Sequence, residues 1–223
     1  MFWFISIAIA ILSALLIAFY LERRQNKDFQ WNFFNTIKKQ KKVFIVSLIL
    51  FIIAALFMTY IFRDSSLDKS LLYRWMILMY GIFLIALIDA KERLIPNEIL
   101  LSLLVIRLGF MVYESIAGNA ILRYELLSPI IGMLIGGGII FLAMLISRKG
   151  IGMGDIKLFG LMGLYTGSQD IVTTMFCTFI FSAIAGVFLL ITKRAKLKDT
   201  IPLAPFAAAG VWVNFFLVFA GTK

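Results

Sequence analysis

Hydrophobic residues in this chain run in long unbroken blocks, and most of its charge collects in the short segments between them. Most blocks hold about the twenty residues that an α-helix needs to cross a hydrocarbon core of roughly 30 Å. Dividing the chain at its charged and proline-bearing breaks predicts eight spans, near residues 1–20, 43–62, 73–90, 97–117, 127–147, 155–168, 170–191 and 202–221. The sixth is short for a full crossing. Its glycines, Gly160, Gly163 and Gly167, permit close helix packing, so it is expected to be either tilted or buried inside the bundle. The pattern predicts an all-α, polytopic transmembrane bundle with an N-terminal membrane region, 1–72, and a membrane-embedded core, 73–223.

Composition agrees with that reading. The chain is 62% hydrophobic and 15% charged, with a mean hydropathy of +0.98, whereas soluble domains are about half apolar and a quarter charged. The first block is followed, not preceded, by basic residues and shows no small-residue cleavage site, so it reads as a retained span and not as a signal peptide. A net charge of +10 in a soluble protein would suggest nucleic acid as a partner. Here the bases lie between spans, where topology and anionic lipid headgroups account for them. The single cysteine, Cys177, precludes an internal disulfide or a cysteine-cluster zinc site, and the chain has no histidine. No metal and no cofactor is expected.

Lysines and arginines give the orientation. Segments 21–42, 91–93, 148–157 and 193–198 carry sixteen of them, against five at Arg63, Lys69, Arg74, Arg123 and Lys223 on the other side. The richer side is expected to be cytoplasmic, with both termini outside. Loop 21–42 mixes bases with Phe29, Trp31, Phe33 and Phe34, which suits a helix lying among headgroups. It serves either as a topology anchor or as a substrate-contacting element. Arg107 stands alone in mid-span, either snorkelling or paired with Glu114.

Of twelve acidic residues, two are unusual. Asp89 closes the apolar run that starts at Ile82, and Asp155 opens the apolar stretch after Gly150-Ile-Gly-Met-Gly154. Both fall at the cytoplasmic boundary, and a carboxylate at the edge of hydrocarbon is costly enough to suggest function. Two such groups sharing one proton can hydrolyse a peptide bond, the ionised one activating water while the protonated one polarises the carbonyl. Gly152 and Gly154 flank Met153 and allow close backbone approach beside Asp155. Lys157 either reaches a headgroup or tunes Asp155. After Asp89, Pro96 and Asn97 read as a helix start that makes the turn tight, and Arg93 as a topology determinant.

Together these stretches resemble the type IV prepilin peptidases, membrane aspartic peptidases with a Gly-x-Gly-Asp signature. Asp89, with six residues between it and Pro96-Asn97, matches one motif, and Gly152-Met-Gly-Asp155-Ile-Lys157-Leu158 matches the second. Ile201-Pro202-Leu203-Ala204-Pro205-Phe206 is similar to a third, late motif. The resemblance covers roughly residues 80–210. It implies that Asp89 and Asp155 are the catalytic pair and that Gly152, Gly154, Lys157, Arg93, Pro96, Asn97, Pro202 and Pro205 support them. It implies a prepilin-like precursor as substrate, its basic leader in the cytoplasm and its apolar helix in the bilayer. Membrane lipids are the other expected partner. Many bacterial members carry four cysteines in the first cytoplasmic loop and also methylate the new amino terminus. Loop 21–42 has no cysteine, which places methyl transfer in doubt. Presenilin-like proteases share the Gly-x-Gly-Asp element but place Tyr before the first aspartate and Pro-Ala-Leu late in the chain. Here Ile88 and Pro202-Leu-Ala204 stand instead. A proton-coupled transporter would predict internal repeats, and none is found.

Overall fold

The computed structural model describes residues 69–117, 122–147, 152–193 and 200–220, all within the second of the two units into which the chain divides, Asp68–Lys223. The spans expected at 1–20 and 43–62, and loop 21–42, lie outside the described residues. Among the described residues every element is an α-helix: α1 (Lys69–Glu92), α2 (Asn97–Ala117), α3 (Leu122–Ser147), α4 (Met153–Ile191) and α5 (Ala204–Ala220). The first four are long and apolar enough to cross a membrane, and α5 is a shorter apolar helix.

The helices start and stop where their sequences require. At the end of α1 the chain turns through Arg93 in the left-handed region, φ 52°, and the Arg93 amide donates to the Asp89 carbonyl at 2.8 Å. Pro96 lacks a donor where a first-turn helix needs none, so α2 begins directly behind it; its carbonyl accepts from the Leu100 amide at 3.3 Å. In α5, Pro205 sits in the first turn, where its fixed φ is already helical.

α4 is not one rod. Its 39 residues break at Gly167, whose φ of 86° and ψ of 178° are open only to glycine. Phe159 and Phe179, twenty residues apart, would lie about 30 Å apart in a straight helix, yet their rings stack with centroids 6.2 Å apart. The chain therefore doubles back, giving a short arm before Gly167 and a long arm after it. Every residue of the short arm from Leu158 to Thr166 is buried. The sequence boundary between segments 155–168 and 170–191 falls at this break, and the short piece is the interior one.

Glycines explain how the short arm is enclosed. Cβ atoms at Gly132 and Gly163 would each run into the other's carbonyl, and one at Gly136 into the Phe159 carbonyl. The backbones of α3 and the short arm thus touch directly, the close approach that small residues make possible in membranes. α1 is the interior helix. In its apolar span 67% is buried, against 22% for α2 and 17% for α3, and Trp75, Leu78, Ile82, Ile85 and Ile88 are almost wholly enclosed. The outer faces of α2 and α3 stay apolar, with Leu101, Val105, Val112, Leu134, Leu142 and Ile146 exposed. Lipid tails are a solvent for such surfaces, so packing and satisfied polar groups hold the bundle together.

Gly163→Ala should lower stability by about 1–3 kcal/mol, the usual effect of overpacking. Gly138, with nothing within 4 Å of its Cβ position, should tolerate alanine with a gain of at most about 1 kcal/mol from helix propensity. Melting midpoints in detergent compare the two.

Candidate active site

Three remote segments meet at one end of the bundle. Asp89 lies in the last turn of α1 and is 5% exposed. The Ala204 amide, at the start of α5, donates to its Oδ2 at 3.1 Å. Asp155 lies in the first turn of α4, half-buried, and its Oδ2 accepts from the Gly152 amide at 3.1 Å. That contact is half of a capping box: the acid at the third helical position satisfies the backbone donor before the helix begins. Each carboxylate is thus oriented through one oxygen by a backbone N–H. Asp89 at the end of α1 and Asp155 at the start of α4 lie at the same end of the bundle, although 66 residues separate them in the chain.

The turns between helices are fastened to one another. Lys157 Nζ donates to Asn97 Oδ1 at 2.9 Å, joining the start of α4 to the start of α2. A Cβ at Gly154 would lie 3.0 Å from Ile95 Cβ, tighter than ordinary contact, so glycine lets the turn before α2 rest closely against the residue preceding Asp155. Of the sequence-predicted support residues, Gly152, Gly154, Lys157 and Asn97 make these contacts directly. Pro96 is buried beneath them, and Arg93 is exposed and ends α1 through its backbone. Pro202 and Pro205 are half-buried on either side of Leu203-Ala204.

Sequence reasoning missed Ala204 and Ile95. Ala204 acts through its amide, which its side chain does not advertise. A signal was present all the same: prolines at 202 and 205 have no N–H, so only Leu203 and Ala204 could donate from between them. Ile95 looked like any apolar residue before a proline. Arg107 also resolves: it does not snorkel but lies fully buried, bonded to Glu114 at 3.0 Å.

Comparison with known proteins gives the family. Residues 76–191, more than half of the chain, match the model of the type IV leader peptidase family. The chain belongs to the type IV leader peptidase family. Similar proteins include the prepilin leader peptidase/N-methyltransferase of Pseudomonas aeruginosa, 29% identical over 158 residues, which are 66% of this chain and 53% of that protein. The proteins of the same name from Stutzerimonas stutzeri and Bacillus subtilis are each 29% identical, over 62% and 58% of this chain and 47% and 49% of theirs. The chain thus spans about half the length of the curated relatives it matches. No solved structure matches it significantly. The family match includes Asp89 and Asp155 and ends before the Pro202–Pro205 segment that supplies the amide to Asp89.

Lys157 and Asn97 should behave as one unit in this family member. Once Lys157→Met has been made, adding Asn97→Ala should lower the detergent melting midpoint by less than half of what it does alone. Additive losses would mean the bond is not formed.

Proposed function

We propose that this protein is a membrane aspartic endopeptidase that removes the basic leader from prepilin-like precursors at the cytoplasmic boundary, with Asp89 and Asp155 as its catalytic pair. The convergence of three motifs on those two carboxylates is the observation that carries the reading. An acid enclosed among apolar residues and another at a helix start, both at one end of the bundle, match the demands of metal-free peptide hydrolysis. One carboxylate, ionised, takes a proton from water as its oxygen attacks the scissile carbonyl carbon. The other, protonated, donates to the carbonyl oxygen and stabilises the tetrahedral intermediate. Collapse breaks the C–N bond, and the leaving nitrogen takes the proton gained from water. Two adjacent carboxylates cannot both ionise easily, which keeps one proton in the pair between turnovers. Oδ2 of each side chain is held by a backbone amide, which leaves the Oδ1 atoms to serve the water and the substrate.

On the orientation inferred from the lysines and arginines, this end of the bundle faces the cytoplasm and both termini lie outside, with eight spans in all. The substrate's leader then stays in water while its apolar helix lies in the bilayer, and the junction reaches the pair. The enzyme's own bases repel a basic leader, so headgroups or acids such as Glu22, Glu92 and Glu98 must offset that repulsion. Lipids are therefore partners as well as solvent. The relatives' name includes N-methyltransferase, but loop 21–42 has no cysteine, and proteolysis alone is the activity proposed here.

Asp89→Asn and Asp155→Asn should each lower leader cleavage about 10²- to 10⁴-fold in a membrane assay with a pilin precursor. The double variant should be no worse than the poorer single, because the two act as one unit. Substantial turnover by either purified single variant would reject the pair. Mass measurement of the product, with methyl donor supplied, should find an unmodified amino terminus.

A further inference from the structure

At the far end of the short arm of α4 a second set of polar contacts has no place in the chemistry above. The break at Gly167 strips the arm's last carbonyls of their intrahelical donors, and such groups need partners inside a membrane. In a continuous helix the Ser168 amide would bond the Leu164 carbonyl; here it donates to Ser128 Oγ at 3.2 Å. Arg107, on α2 and fully buried, takes its place: its Nε donates to the Leu164 carbonyl at 2.9 Å. Its Nη1 bonds Glu114 at 3.0 Å, and Glu114 also pairs with Arg74 of α1 at 3.2 Å. Beside it, Tyr165 Oη donates to the Leu103 carbonyl of α2 at 2.7 Å.

The short arm is therefore tied to α2 at both ends, by Lys157 to Asn97 beside the carboxylates and by Arg107 and Tyr165 at the break. Its contact with α3 is backbone packing at Gly132, Gly136 and Gly163 together with the Ser168 bond to Ser128; the ties to α2 add a charged side chain at each end. We infer that Arg107 is a positioning residue for the proposed reaction, fixing through the Leu164 carbonyl the depth at which the short arm presents Asp155 to Asp89. A positive charge at a helix carboxyl end is favourable in itself. Here it also supplies what the backbone break requires: a buried donor long enough to reach the broken helix end from α2. The inference rests on the peptidase reading, and its test separates the two.

The position of the arm can be read without any activity. In a Cys177→Ser background, Ile95→Cys and Gly154→Cys place two thiols on neighbouring Cβ positions, which form a disulfide once the turn eases back by about half an ångström. Mild oxidation should link them in membranes when Arg107 is present and link them much less with Arg107→Met. In the otherwise unmodified protein, Arg107→Met should lower kcat about 10- to 100-fold, the scale of a misplacement near 1 Å, with KM changed less than about threefold. Glu114→Gln removes the ion pair but keeps the bond to Leu164, and should leave both disulfide yield and kcat near wild type. Should Arg107→Met not accumulate, Arg107→Lys replaces it: donors that all leave one nitrogen cannot reproduce the planar fork by which Nε meets Leu164 and Nη1 meets Glu114, so both readouts should fall together. A fall in kcat at unchanged disulfide yield, or a rise in KM alone, overturns the inference. If the wild type cleaves no prepilin-like precursor, the peptidase reading fails, and the disulfide yields alone decide whether Arg107 sets the arm.

Discussion

The site depends on one buried hydrogen bond, from the Ala204 amide to the Asp89 carboxylate. A carboxylate enclosed at the end of an interior helix is costly unless it is bonded. Ala204 meets that need from 115 residues away in the chain, and in doing so fixes where α5 enters the bundle. The long arm of α4 then packs along α5: the Asn214 side-chain amide donates to the Asp170 carbonyl and to Thr174 Oγ1, each at 2.9 Å. Gly210 allows the approach, since a Cβ there would strike Thr178 and the Thr174 carbonyl. One bond at the site thus depends on an interface that runs the length of the bundle away from it.

Membrane packing makes this arrangement sensible. Between apolar helices in lipid there is little hydrophobic force to set register, so polar contacts and backbone-to-backbone fits do that work. The described bundle uses both. Glycines seat the short arm of α4 against α3, and charged groups gather in two sets: Asp89 and Asp155 at one end, Arg74, Arg107 and Glu114 away from it. Asp89, Asp155 and Arg107 each bond a backbone group at the start or the break of a helix, where such groups lack intrahelical partners.

Much of this was legible in the sequence, for physical reasons that differ from residue to residue. Apolar blocks of membrane length mark α1 to α3 because lipid demands them. Asp89 and Asp155 stood out because acids next to such blocks are expensive. Gly167 was read only as a small residue, yet its positive φ is what turns 39 helical residues into two arms. The partner of Arg107 was one of two options, and its bond to the Leu164 carbonyl was not legible at all, since it depends on a break whose geometry no side chain spells out. Ala204 and Ile95 were hidden for a related reason: one contributes an amide and the other only a surface.

The central claim is that Asp89 and Asp155 face one another across a gap that a water and a peptide bond can share. The most direct measurement replaces both with cysteine in a Cys177→Ser background and treats native membranes with a short bifunctional thiol reagent. The account predicts efficient linkage of positions 89 and 155, lost when the bundle is unfolded in detergent before treatment. Two freely reactive thiols that no short reagent joins would contradict it.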